Sequence, residues 1–246
     1  GVDAVELRLK NARRKGDTLP NGDRLASCGT VECIEKAVKA IGWGDVHGKR
    51  ENRGLGIGVS AAQSATAVYP YGSSAIVRIN SDGSATLFTG AVETGQASDT
   101  VMCQIVAEEM GLSLNDIVLV SADSELCPQD LGNWIMGGVF VTGEAVRLAA
   151  ADAKRQLLGD ASRVFEVRAE ELEVRNKAIY LRESSERLAS FSDMLRISKR
   201  EGGVIIGKGY RNAAPKRESG QYTFAYTFTV AVAEVEVDKE TGIVRL

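Results

Sequence analysis

The sequence predicts an α+β protein in which mixed β-sheets are packed by helices, arranged in one or two lobes. Three observations carry that prediction. Strand–turn–strand patterns occur at 73–89 and again at 172–181. Apolar residues recur at helical spacing over 31–41 and 98–110. The chain has 246 residues, 44% of them hydrophobic and 26% charged, enough for one large core or two smaller ones.

Asp3 and Glu6 have capping-box spacing, so a short helix is expected over about 4–13. Lys15-Gly16-Asp17 and Pro20-Asn21-Gly22-Asp23 are turn chemistry. Thr30 is placed to cap a helix over 31–41 whose apolar face carries Val31, Ile34, Val38 and Ile41. A Gly-rich stretch runs from Gly42 to Gly58. Ala75–Ile79 and Ala85–Thr89 form a hairpin around Asn80-Ser81-Asp82-Gly83. Ser98 is positioned to cap a helix that ends at Met110, with Gly111 as its stop and Val101, Ile105 and Val106 toward the core. Ile117–Val120 reads as a short buried strand, followed by a long loop over 121–141. A helix rich in Ala145, Ala149 and Ala150 is expected from about Thr142 to Leu158, stopped by Gly159. Leu172–Arg175 and Ala178–Leu181 pair around Asn176-Lys177. A helix over 191–199, strands over 204–210 and 224–237, and a turn at 238–242 into a final strand complete the chain. The expected segments are 1–71, helical and Gly-rich with a first strand; 72–190, an α/β lobe; and 191–246, an incomplete, truncated β-rich piece.

The formal net charge is -3, and Lys49-Arg50 and Lys199-Arg200 are isolated pairs, which argues against nucleic acid as a partner. No apolar run is long enough to span a bilayer, and the amino terminus lacks the pattern of a signal peptide. Without an initiator Met, the chain reads as processed or excised. Cys28, Cys33, Cys103 and Cys127 show no CxxC pairing, so free thiols in a reducing, cytoplasmic setting are expected. The single His47 sits in a loop-like stretch. No metal site is expected within the chain.

Gly56-Ile57-Gly58-Val59-Ser60-Ala61 fits a loose dinucleotide pattern, but Tyr69-Pro70-Tyr71-Gly72 soon breaks any following helix. A strand of small residues fits better. Glu93, Asp99, Glu108, Glu109, Asp123 and Glu125 offer carboxylates without an evident acid–base pair. More informative is Gly90–Thr100, where a strand runs into a helix through Gly95 and Gln96. Glycine lets the backbone approach a ligand, glutamine brings donors and an acceptor, and a helix start carries unpaired N–H groups. Pro128–Gly138 is a second loop that runs into a helix. Two such junctions can surround one polyanionic ligand. Each also reads as a plain connection, with Trp134 and Met136 as core residues.

Along these residues the chain resembles the molybdopterin-binding large subunit of the xanthine dehydrogenase/aldehyde oxidase family of molybdenum hydroxylases. The matching text includes Val5–Asn11, Gly83–Gly90, Glu93–Gln96, Pro128–Gly132, Thr142–Val146 and Val232–Asp238. Ser121-Ala122-Asp123-Ser124 is most similar to the 4-hydroxybenzoyl-CoA reductase branch. The resemblance implies the molybdenum cofactor-binding fold of these hydroxylases. It implies pterin contacts from Gly95, Gln96 and Ala97 and from the loop Ile135, Met136, Gly137, Gly138 and Val139. Val59 and Ser60 fall where the family places a substrate-pocket wall. The implied reaction is oxidation of an aldehyde, hydroxylation of an N-heterocycle, or reductive dehydroxylation of an aryl-CoA. The cofactor is molybdenum–molybdopterin, including its cytosine dinucleotide form. Implied partners are the rest of the molybdopterin subunit, an iron–sulfur subunit and a FAD subunit, with no membrane. Ala97 stands where relatives carry Gly, and Met136, Gly137 and Val139 replace polar residues. The family's catalytic Glu has no counterpart here, so no catalytic residue is expected and the chain is expected to be inactive alone. The alternative reading is a non-catalytic scaffold or assembly domain that keeps the fold without a cofactor site.

Overall fold

The computed structural model describes residues 1–46, 52–63, 72–130, 132–133, 137–198, 204–212 and 226–246. The chain divides into two compact units, Gly1–Ala67 with Pro215–Leu246, and Val68–Ala214. The segment expected as one piece from 191 is thereby divided between them.

In the first unit, α1 (Ala4–Asn11) is capped by Asp3, whose carboxylate accepts from the Val5 and Glu6 amides at 2.8 and 3.1 Å. Helix α2 (Thr30–Ile41) starts one residue earlier than expected. Gly29 occupies the cap position, and Thr30 lies inside the helix, buried. Gly42, in the left-handed region at φ 67°, ends it, and a single turn, α3 (Trp43–Val46), follows. Strand β1 (Arg53–Gln63) pairs antiparallel along its whole length with β9 (Tyr226–Val237), and the short β10 (Val244–Arg245) completes the order β1-β9-β10. Val5, Ile34, Trp43 and Ile57 form the core, with Leu55, Val230 and Val232 packed against it. The Gly56–Ala61 pattern lies within β1, in unbroken register from Gly56↔Ala233 to Ala61↔Phe228. A dinucleotide fingerprint needs a turn there, so that pattern is a strand. His47, Lys49 and Arg50 lie outside the described residues.

The second unit is built on a four-stranded sheet. Strands β2 (Gly72–Ile79) and β3 (Ala85–Thr89) form the expected hairpin, with Gly83 at φ 80° in its turn. Strand β4 (Ile117–Ser121) runs parallel to β3, and β8 (Ile206–Asn212) antiparallel to β2, giving the order β4-β3-β2-β8. Strand β4 is therefore an edge, and Val118 is 55% exposed where a buried strand was expected. Helices α4 (Ser98–Met110) and α5 (Gly143–Phe165) pack on the sheet around Val77, Ile79, Leu87, Met102, Val106, Met110 and Leu157. Helix α5 passes through Gly159 and stops only at Glu166, which takes the left-handed conformation at φ 55°. Buried Leu157 and Ala161 flank Gly159, so tertiary packing overrides the glycine. A small sheet holds β5 (Leu172–Arg175), β6 (Ala178–Leu181) and β7 (Arg187–Ser190), followed by α6 (Phe191–Ile197). Asn176 and Lys177 both have positive φ, the signature of a two-residue hairpin turn.

Candidate functional site

The strand–helix junction after β3 is held from both sides. Gly90 lies so close to the loop at 128–130 that a Cβ there would meet the Asp130 Cβ at 2.6 Å and the Pro128 carbonyl oxygen at 2.7 Å. Only glycine permits that approach. From there Val92–Ala97 are exposed up to Ser98, which is buried at the start of α4. Gly95 and Ala97 both have positive φ, 101° and 60°. A Cβ at Gly95 would meet nothing within 4 Å, so the backbone there faces open space. At Ala97 a real methyl group sits in the left-handed region, where L-residues other than Gly, Asn and Asp are disfavoured.

Helix α4 has Ala97 at its cap position, not Ser98, and the side chain that satisfies its amino end comes from Glu93. The Glu93 carboxylate accepts from the amides of Gly95 at 2.7 Å, Ala97 at 3.0 Å and Asp99 at 3.3 Å, and from the Ser98 hydroxyl at 3.4 Å. Partial burial raises the pKa of Glu93, but these hydrogen bonds outweigh it and hold the carboxyl below its ordinary range. Of the N–H groups expected to be unpaired, that of Asp99 is thus taken by a side chain of the same turn, together with those of Gly95 and Ala97 just before the helix. Gln96 is also folded inward. Its Oε1 accepts from the Thr94 amide at 2.7 Å and hydroxyl at 2.8 Å, and its Nε2 donates to the Val92 carbonyl at 2.9 Å.

Asn133 joins this turn to the second loop by donating its Nδ2 to the Val92 carbonyl. The same side chain closes against Gly138, where a Cβ would lie 2.8 Å from Asn133 Oδ1. The loop is anchored further back. Asp130 Oδ1 accepts from the Gly132 amide at 2.7 Å, and its Oδ2 lies 2.6 Å from the buried Thr142 hydroxyl. That hydroxyl lies 2.9 Å from buried Ser73 on β2. The helix following the loop begins as one π-helical turn, Gly138–Thr142, which runs directly into α5. Val139 and Phe140 on that turn are exposed. Gly95, Gln96, Ala97, Gly137, Gly138 and Val139 are therefore on two junctions that Asn133 holds together. Ile135 and Met136 lie outside the described residues, as does Trp134.

Val59 and Ser60 are neighbours on β1 in the first unit, and strand geometry points adjacent side chains to opposite faces. They cannot both line one wall. Two of the remaining carboxylates have separate structural roles. Asp123 accepts from the Glu125 and Leu126 amides in a turn, and Glu109 pairs with Lys154 at 3.3 Å. Burial pushes the Cys103 thiol up, with Asp99 adding to the effect, which disfavours a reactive thiolate. Among the described residues no group of three or more His, Cys, Asp or Glu is placed to hold a metal ion. No described helix is long and apolar enough to cross a membrane.

Sequence reasoning missed the roles of Glu93 and Asn133. Glu93 carries a readable signal, a carboxylate two residues before a glycine at a helix start, but an acid–base carboxylate has the same residue type. Asn133 reaches a carbonyl 41 residues away, and nothing local announces that.

The profile of one protein family, described as a molybdopterin cofactor-binding domain, matches residues 36–246. The xanthine dehydrogenase molybdenum-binding subunit of Escherichia coli is 34% identical over 171 residues, which cover 66% of this chain and 23% of that protein. The gamma subunit of the 6-hydroxypseudooxynicotine dehydrogenase complex of Paenarthrobacter nicotinovorans is 26% identical over 196 residues, or 77% of this chain and 23% of its own length. The chain thus spans about a quarter of the length of the curated relatives it matches. Among solved structures, CO dehydrogenase from Oligotropha carboxidovorans superposes with a TM-score of 0.74 at 20% identity, covering 99% of this chain and 33% of that one. The aldehyde oxidoreductase from Desulfovibrio desulfuricans gives 0.66 at 22% identity, covering 99% and 25%. These likenesses share the fold.

Proposed function

Since the chain belongs to the molybdopterin cofactor-binding domain family, we propose that its two joined junctions hold the pterin of a molybdenum cofactor in a larger oxidoreductase of the molybdenum hydroxylase type. The observation that carries this reading is the Asn133 bridge, which sets the Gly95–Gln96 turn beside the start of the second helix. The residues fit a flat, neutral, hydrogen-bonding heterocycle. Gly95 faces open space, and Gln96 is exposed with an amide group that presents both a donor and an acceptor. Gln96 would exchange its hold on Val92 and Thr94 for the pterin edge, one hydrogen bond for another. The backbone of Gly137–Val139 would flank the same group, and Gly138 packs close because a side chain there would strike Asn133; Ile135 and Met136 join this set on the resemblance alone. When bound, the cofactor supplies two-electron redox chemistry. The chain's own residues bind and orient it.

The finer assignments go with this reading. The cofactor is molybdenum–molybdopterin, in the cytosine dinucleotide form, and iron–sulfur and FAD partners carry the electrons. The whole protein, cytoplasmic, oxidises an aldehyde or N-heterocycle, or works reductively on an aryl-CoA. Val59 or Ser60, from one face of β1, contributes to the substrate wall. The 246-residue chain by itself is inactive.

The test is to measure molybdenum and pterin in the full-length subunit that contains this chain, as wild type and as Gln96→Ala. Stoichiometric pterin in the wild type and a loss of about tenfold or more in retention by the variant are expected, the scale of one hydrogen bond whose partner is left unpaired. Equal retention by both would overturn the role of Gln96. One observation favours the scaffold reading: the amides of Thr94, Gly95, Ala97 and Asp99 and both ends of the Gln96 side chain have partners within the chain. A full-length wild type without pterin would select it.

A further inference from the structure

The Glu93 carboxylate occupies the place where an anion would bind a helix start. In an ordinary helix the first N–H groups and the helix dipole together favour a phosphate or sulfate. Here the amides of Gly95, Ala97 and Asp99 converge on one carboxylate, with the Ser98 hydroxyl completing the set. These four donors are used, and a negative charge already stands among them. Asp99 adds a second carboxylate in the first turn of α4. The groups that remain available are of another kind. Gln96 Nε2 carries two hydrogens and spends one on Val92, and Gly95 presents a bare backbone to open space.

We infer that Glu93 is a specificity-determining residue which closes the amino end of α4 to anions and leaves Gly95 and Gln96 to a neutral hydrogen-bonding partner. The inference rests on the cofactor reading in one respect, the identity of that neutral partner as the pterin ring. The exclusion of anions stands on the hydrogen bonds alone. The charged groups around the turn are Glu93, Asp99 and, packed against Gly90, Asp130, while Val92, Thr94 and Asn133 contribute neutral contacts.

The experiment uses the 246-residue chain, isotopically labelled, with inorganic sulfate as the probe because its charge stays constant from neutral pH into the acid range. Backbone amide signals of Gly95, Ala97 and Asp99 are followed by NMR. In the wild type at neutral pH they are expected to stay still as sulfate is added. In Glu93→Gln they are expected to move, with sulfate bound about thirtyfold tighter, the factor for removing one unit charge 4 Å from a doubly charged anion in bulk water. Should Glu93→Gln fail to fold, the wild type answers alone: sulfate shifts are expected to appear as pH falls through the titration of Glu93. Wild-type amides that move with sulfate at neutral pH would overturn the inference. So would amides that ignore sulfate both in the folded variant and in acid. Neither outcome depends on pterin retention, so the two proposals fail separately.

Discussion

Replacing Gly209 with alanine puts a methyl group where helix α5 already lies. Ala145, Ala149 and Ala153 recur one turn apart on α5 and are fully buried. Gly207 and Gly209 alternate on the face of β8 that meets them. A Cβ at Gly209 would overlap the Ala145 carbonyl oxygen and stand 2.5 Å from the Ala149 nitrogen, while one at Gly207 would reach the Ala153 Cβ at 2.8 Å. The obstacles at Gly209 are backbone atoms of a hydrogen-bonded helix, so no rotamer change relieves them. The helix would have to lift from the sheet by about 1 Å, opening a core packed at near-crystalline density. Overpacking commonly costs about 1–3 kcal/mol, and backbone obstacles place this substitution at about 3 kcal/mol or more. For a chain of this size that lowers Tm by about 6–12 °C. Thermal and urea denaturation of the full chain measure it. Gly159→Ala is the control in the same helix. Its Cβ meets nothing within 4 Å, so the gain in helix propensity should raise stability by about 1 kcal/mol. A Gly209→Ala loss below about 0.5 kcal/mol would refute the close-packing argument.

Three further outcomes are expected. Thr142→Val removes the hydroxyl shared by buried Ser73 and Asp130, and should cost about 1–3 kcal/mol in urea denaturation. Ala97→Gly relieves a left-handed alanine of about 1–2 kcal/mol but adds chain entropy to the unfolded state. The net change should be stabilising by about 0.5 kcal/mol, and a loss would mean that the turn tolerates Ala97 without strain. For Glu93 the folded carboxyl titrates below its ordinary value of 4.5. The stability it provides is full above that value and is lost as pH falls through the folded pKa. Glu93→Gln should therefore show a shallower fall in stability below about pH 4.5 in acid unfolding curves.

The hairpins were legible because their turns are written in adjacent residues: Asn80–Gly83 for one, Asn176-Lys177 for the other. The span of α4 was legible from its apolar spacing and from Gly111, which ends it at φ 62°. What escaped depends on partners distant in sequence. Gly159 looks like a stop until Leu157 and Ala161 on either side are seen packed in the core. Ile117–Val120 looks buried until β4 proves to be an edge. At the candidate site, the residues of the two junctions were readable singly. Their joining by Asn133 was not, and neither was the turning of Glu93 onto the helix start, because one sequence pattern serves both a capping carboxylate and a catalytic one.

The first unit is sewn together from the two extremities of the chain, and that has a consequence for the order of folding. Strand β1 must find β9 across a gap of about 160 residues, a slow search with a large loop-closure cost. The intervening unit ends where it begins: Gly72 and Asn212 are partners on β2 and β8. Once that unit has folded, Gly72 and Asn212 lie side by side, and the separation in sequence that β1 and β9 must close falls to the 8 and 13 residues that separate them from that pair. The inserted unit thus works as a clasp, so that damage within it, as at Gly209, should also slow the assembly of a sheet to which it contributes no strand.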